Sequence, residues 1–371
     1  MTTTREQPPT KTRGTQEARK REARTGWWFA LPAILLITIF VIYPFLSAFY
    51  LSMTNERLIS GNETEFTGLE NYRNLLTLQW LTLEPLEENG EPILDEDGNF
   101  TYERVRTFTR DNPEYPQFDG LSEWFDRTSS DGTRTVVLAA NPTFMRSVLN
   151  TVLFAVVIAP VQGGLGLLLA LLVNSKLRGV NLFRTVYFMP VVTSMVVIAL
   201  LWSIILSPDQ SGLMNRMLSA FTGQNVTLGY LGDPKLALPS IMVMSIWQAV
   251  GFHMVIWLAG LQTIPGQLYE AASIDGADAW NQFKNVTWPG LRSTAIFVLI
   301  TITIAAFGLF IQVDVLTRGG PLDSTQTMIF QAVEQGFRRG DMGTGNAITV
   351  FFFFFVLIIA LIQRYLTREK V

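Results

Sequence analysis

An all-α membrane protein of about six transmembrane helices, with a polar insertion between the first two, is the fold class that the sequence predicts. Three observations predict it. Of the 371 residues 49% are hydrophobic and only 16% charged, with a mean hydropathy of +0.27, too apolar for a soluble domain of this size. Apolar runs recur near 27–50, 148–173, 185–206, 237–261, 294–316 and 346–363. At about 1.5 Å per residue, roughly 20 residues cross a hydrocarbon core of about 30 Å. Polar residues are gathered into residues 1–26 and 52–143, so one bundle with one hydrophilic insertion fits the pattern.

Residues 1–26 are a basic tail carrying Arg5, Lys11, Arg13, Arg19, Lys20, Arg21 and Arg24. The first span, 27–51, outlasts a signal-peptide core of about 7–15 residues and has no small-residue cleavage site after it, so it reads as retained. The insertion, 52–143, carries Glu87, Glu88, Glu91, Asp95, Glu96 and Asp97 among Gly and Pro turn signals. Its plain reading is a solvated loop. Phe100, Tyr102, Val105, Phe108, Trp124 and Phe125 supply apolar surface for a small cap, which predicts a compact, partly β subdomain. The triplet Asp95-Glu96-Asp97 lacks spaced oxygen ligands and is assigned no metal.

The core, 144–366, holds spans two to six, and 367–371 is a short tail. Gly163-Gly164-Leu165-Gly166 gives span two a small-residue face for close packing, a flexing hinge being the alternative. Pro44, Pro160 and Pro190 interrupt or flank spans, and Trp27, Trp28, Trp202 and Trp257 are expected at interfacial belts. The N-terminal tail, the joint 174–184 with Lys176, Arg178 and Arg184, and the end with Arg364, Arg368 and Lys370 are basic. The positive-inside rule places both termini in the cytoplasm and the insertion outside.

Between spans four and five, residues 262–291 are too patterned for a plain turn. Pro265 can open a helix, Asp275-Gly276 offers a turn, and a second helix is expected from Ala277 until Pro289 stops it. Leu268, Ala271, Ala272 and Ile274 mark one apolar face, and Trp280, Phe283 and Val286 the next. Such a face buries itself in a neighbouring protein's groove or against its own spans, and the residues alone leave both open.

The composition also excludes chemistry. No cysteine is present, which removes disulfides, thiolate catalysis and cysteine metal sites, and His253 stands alone. No Walker A run occurs. An enzyme with the external acids as a metal site lacks an acid/base constellation, and an ion-coupled secondary transporter, the main alternative, lacks a clear ion path or inverted repeat.

Glu270-Ala271-Ala272, Asp275-Gly276-Ala277, Phe283 and Pro289 resemble, at the right spacing, the EAA signature of permease subunits of binding-protein-dependent ABC importers. Asn150-Thr151, the joint 174–179, Phe183-Arg184, Met189-Pro190, Trp202 and the run 317–321 extend the resemblance to the maltose-type, carbohydrate-uptake branch. It implies the type I ABC importer permease fold, a plasma-membrane location and a cargo of di- or oligosaccharide or related polyol. It implies that the elbow is a coupling helix seated on an ATPase subunit. The implied partners are a second permease in a heterodimer, two nucleotide-binding ATPase subunits and an external solute-binding protein, with no nucleic acid. No cofactor is assigned to this chain, ATP and Mg belonging to the partner ATPase. The insertion falls where some maltose-type permeases carry an external domain that touches the binding protein.

Trp247, Gln248, Phe252 and His253 in span four are candidates for a solute path, since polar groups inside a bundle are costly and usually functional. The resemblance places the sugar-lining stretch most directly on Gln248, Ala249 and Phe252; Trp247 and His253 have helix packing as an equal alternative. Gln312 and Asp314 lie near the external end of span five, where an interfacial position competes with a substrate or gating role. Ala305, Ala306 and Leu309 stand where the maltose pattern has aromatic and asparagine side chains, which argues against maltose itself.

Overall fold

The computed structural model describes residues 13–59, 63–88, 91–174, 179–209 and 212–367. Arg5, Lys11, Lys176, Arg178, Arg368, Lys370 and the 368–371 tail lie outside the described residues, as do the side chains of Arg13, Arg19 and Lys20. Among the described residues four helices are long and apolar enough to cross a membrane: span 1 (Arg21–Leu51), span 2 (Pro142–Val173), span 4 (Ala237–Gln262) and span 6 (Met342–Thr367). Two bent helix pairs complete the set. Span 3 is Val180–Val192 joined to Met195–Ile205 at 101°, and span 5 is Ala279–Gly290 joined to Arg292–Phe307 at 67°.

Two expected runs are therefore corrected. The run 185–206 is not one helix: Pro190 has no N–H for the last turn, and Thr193 and Ser194 take extended backbone angles before a new helix starts. The run 294–316 ends early, because the chain leaves the helix at Gly308 and resumes as a short helix, Ile311–Leu316. The elbow's second helix, expected to stop at Pro289, ends one residue later at Gly290, with a π-helical stretch, Phe283–Thr287, before the proline and the bend at Leu291.

Spans 2, 4 and 5 form the centre, and close backbone approach holds them. A Cβ on Gly163 would meet Ile302 at 3.5 Å, and one on Gly166 would meet His253 and Trp257 at 3.3 Å. Of the two readings of these glycines, packing is the one the contacts describe. Trp257 is 4% exposed and its Nε1–H donates to the Gly163 carbonyl at 3.0 Å, while Trp202 is 8% exposed in a second cluster with Ile198, Leu206 and Met244. Both were expected in interfacial belts. A buried indole needs an acceptor for its N–H, and the Gly163 carbonyl serves Trp257. Trp27 and Trp28 are exposed.

The insertion carries a three-stranded antiparallel sheet, β1 (Leu78–Leu83), β2 (Ser122–Thr128) and β3 (Arg134–Ala139), in the order β1-β3-β2. Leu81, Leu83, Val136 and Leu138 face Phe118 and Leu121, with Tyr102, Val105 and Phe108 packed around them. Phe125, expected in this cap, sits on the outer face opposite Val137 and is exposed. Arg134 pairs with Glu123 and Asp126 at 2.8 and 2.9 Å. Asn71 ties the insertion to the end of span 1 by donating to the carbonyls of Ser52 and Thr54, and the Gly343 N–H of span 6 donates to Glu56. Strand β3 leads into span 2 through Asn141, whose side chain caps the helix by accepting from Phe144 N–H at 2.9 Å. The insertion thus sits at the end of the bundle away from the 262–291 elbow.

Span 1 packs only near that end. Phe45 and Phe49 meet Phe353 and Phe354 of span 6 at ring distances of 4.9 and 5.8 Å, while residues 21–42 are exposed.

Candidate functional site

The elbow is two helices around one glycine. Helix Gly266–Ile274 starts after Pro265, whose backbone is extended, and the Ala277 N–H returns to the Ala272 carbonyl at 2.9 Å across Gly276, which has φ +77°. That left-handed turn favours glycine on conformational grounds alone, since nothing lies within 4 Å of where a Cβ would be. Asp278 caps the next helix by accepting from the Asn281 N–H at 2.8 Å. Gln282 Nε2 reaches back to Ser273 Oγ and the Ala277 carbonyl, and the Tyr269 and Thr287 hydroxyls are hydrogen-bonded at 2.9 Å.

The elbow therefore has a fixed shape and an open surface. Glu270, Ala271, Asp275 and Gly276 are exposed, and Ala272, Ala277 and Phe283 are half-buried. Ile274 is 86% and Trp280 68% exposed, and Leu268 joins them. Trp280 stacks on Phe283 with ring centroids 5.7 Å apart. Among the described residues the spans leave this apolar face uncovered. Pro289, the last signature residue, is exposed in the helical turn before the bend. The elbow's feet are clamped: a Cβ on Gly260 would meet Thr294 at 2.3 Å, and one on Gly290 would meet Ile264 at 2.9 Å.

The span 4 candidates divide between two faces. Trp247 (47% exposed), Phe252 (40%) and Val255 lie open, Gln248 and Ala249 half-open, at spacings that put Gln248, Phe252 and Val255 on one stripe. Trp247 meets Trp202 of span 3 at 5.7 Å between centroids. His253 faces the other way. It is 3% exposed, and its Nδ1 lies within hydrogen-bonding distance of Gln162 Nε2 of span 2, at 2.8 Å, and of the Ala249 carbonyl of its own helix, at 3.0 Å. Gln162 itself is buried, and the composition gave no reason to single it out.

Gln312 is half-buried, and Asp314 is hydrogen-bonded and ion-paired to Arg338 just before span 6. Ala305 is exposed, whereas Ala306 and Leu309 are buried in the central cluster. The run 317–321 opens a buried polar loop. Asn150 Nδ2 donates to the Ser324 and Gln326 carbonyls at 3.0 Å, Arg146 to the Leu322 carbonyl at 2.6 Å, and the Met328 N–H to Thr151 Oγ1 at 3.1 Å. Thr325, Gln326, Thr327 and Gln331 are all buried there.

Residues 162–370, more than half of the chain, match the family described as the binding-protein-dependent transport system inner membrane component. The chain belongs to that family. The match covers Gln162, span 4 and the whole elbow. The permease is 35% identical over 230 residues to "Probable ABC transporter permease protein YurN" of Bacillus subtilis, covering 62% of this chain and 78% of that one. It is 29% identical over 93% of its length to the lactose transport system permease LacF of Rhizobium radiobacter, covering 94% of that protein. The trehalose/maltose transport system permease MalF of Thermococcus litoralis is 28% identical over 96% of the permease and 98% of its own length. In fold, the permease superposes on a chain of a bacterial ABC transporter that imports the acidic polysaccharide alginate, with a TM-score of 0.64 at 19% identity over 96% of this chain and 99% of that chain. The type I ABC importer permease fold, insertion included, is thus the architecture of this protein.

Proposed function

We propose that the permease is one transmembrane subunit of an ATP-driven importer of a carbohydrate, a di- or oligosaccharide or a related polyol. It would supply half of the translocation pathway and couple to a separate ATPase through the elbow. The elbow carries the reading: a rigid helix-turn-helix with an exposed apolar face, fixed at both feet to spans 4 and 5, fits a groove on another protein better than its own bundle. The lactose and trehalose/maltose systems named for two full-length relatives support the cargo class.

In this mechanism ATP and Mg bind to the ATPase partners, and closure of that pair moves the elbows. Displacement of residues 266–290 shifts spans 4 and 5 and with them the balance between the two faces of the pathway. The solute-binding protein acts from the insertion side, and a second permease completes the path. Trp247 and Phe252 offer aromatic faces to sugar rings, and Gln248 offers hydrogen bonds to hydroxyls. Arg21, Arg24, Arg184, Lys284, Arg292 and Arg364 flank the elbow-side ends of the spans, which supports a cytoplasmic elbow and cytoplasmic termini in the cell membrane.

The test is ATP-dependent sugar uptake by the assembled transporter in proteoliposomes. Glu270→Lys and Gly276→Asp should leave the permease inserted and assembled but abolish coupled uptake. Normal uptake with either change would defeat the assignment.

A further inference from the structure

We propose that the Asp314–Arg338 ion pair is the positioning contact that holds the outer half of span 3 against Trp247, and so sets how readily the pathway opens on the side away from the elbow. The proposal rests on the ATP-driven reading above.

Asp314 belongs to the short helix Ile311–Leu316, which the break at Gly308 separates from the rest of span 5. Arg338 ends the π-helical stretch Glu334–Arg338 that leads to span 6. Its guanidinium bonds Asp314, reaches Glu334 at 3.3 Å and lies 5.6 Å from the centroid of Phe330, whose ring is 6.3 Å from Phe310. Glu334 also pairs with Arg339 at 3.5 Å. One arm of the short helix is thus anchored by charge. The other is apolar: Val315 and Leu316 pack on the cluster of Ile198, Ala199, Trp202 and Leu206 from the outer half of span 3 and its end. Trp202 in turn meets Trp247. A contact path runs from Arg338 through Asp314 and Trp202 to the open face of span 4.

Losing the charge would loosen this arm while leaving its apolar packing, so the expected effect is a population shift rather than unfolding. Both partners are partly exposed, 25% for Asp314 and 41% for Arg338, so the shift should be small, about two- to fivefold.

The experiment uses the complete transporter in proteoliposomes, with ATP hydrolysis measured across a titration of the solute-binding protein. Asp314→Asn and Arg338→Gln should each raise hydrolysis without binding protein by about two- to fivefold and lower the concentration needed for half-maximal stimulation, with the maximal rate little changed. The double variant Asp314→Asn with Arg338→Gln should match the single variants rather than add to them, since each already removes the pair. Salt should move the wild type the same way, since at about 1 M the Debye length falls to about 3 Å. Unchanged basal rate and half-saturation in the single variants, or a double variant in which the two effects add, would overturn the proposal. If neither single variant assembles, a flat salt response of the wild type overturns it. A wild-type complex without ATP-dependent sugar uptake would instead refute the importer reading.

Discussion

Replacing Gly251 by alanine would set a Cβ 1.9 Å from the Tyr187 carbonyl oxygen and 2.5 Å from its carbon. Both atoms are backbone, so no rotamer change relieves the clash, and the elbow-side half of span 3 must move off span 4. Gly164, also inside a long span, has nothing within 4 Å of its Cβ position. Both substitutions gain the same helix preference of alanine over glycine, about 0.5–1 kcal/mol, so it cancels in the comparison. What remains is overpacking, typically about 1–3 kcal/mol. With roughly 2–4 °C per kcal/mol in a sizeable domain, Gly251→Ala should melt about 2–12 °C below Gly164→Ala. The assay is thermal unfolding of the detergent-solubilised permease, followed by the fluorescence of its nine tryptophans. Equal midpoints, or a higher one for Gly251→Ala, would show that the tight crossing of spans 3 and 4 is not a real constraint.

Two further outcomes follow from the same reasoning. Gln162→Leu removes the side-chain partner of buried His253, leaving it the Ala249 carbonyl of its own helix, and should cost about 1–3 kcal/mol, while Gln162→Leu with His253→Leu should be nearer neutral; a double variant no better than the single, by thermal unfolding, would deny the pairing. In the insertion, the Asn99 N–H and then side chain, with the Asp97 N–H, hold the Asp95 carboxyl below its ordinary 3.8. A depressed carboxyl stabilises the turn above that value and stops doing so as pH falls through the lower one, so the protection of the Asp97 and Asn99 amides against exchange, relative to the intrinsic rate at each pH, should fall only in strong acid; a fall already at pH 5–6 would contradict the assignment.

The sequence made the spans legible because a bilayer demands length and apolarity, and both can be counted. Direction cannot be counted. Hydropathy stays high through Thr193 and through Gly308-Leu309, so the 101° bend of span 3 and the end of span 5 were invisible, even though Pro190 stood beside the first. The elbow was legible because Asp275-Gly276 constrains the backbone locally and Pro289 stands beside the bend at Leu291, whereas the π-helical stretch before that proline left no signature in the sequence. Trp202 and Trp257 were misplaced for a related reason: position along a span suggests the interface, while the partner that buries the ring lies on another helix. The same holds for Gln162, Gly251 and the buried loop around Thr325 and Gln326. Each has meaning only through a contact far away in sequence.

These contacts divide the permease into parts that should move together and parts that should not. Gly260 against Thr294 and Gly290 against Ile264 leave no room for span 4 to slide along span 5 at the elbow, and Gly163 and Gly166 fix span 2 to both. A pull on the elbow must therefore displace spans 2, 4 and 5 as one body, since packed interfaces of this kind do not deform continuously. The shape change of a transport cycle has to be absorbed elsewhere. Backbone hydrogen bonding breaks at Thr193-Ser194 in span 3 and from Gly308 to Phe310 after span 5, and the outer segments beyond these breaks, Met195–Ile205 and Ile311–Leu316, pack on each other. On this argument the elbow belongs to a rigid centre, and the outer segments of spans 3 and 5 form the compliant part.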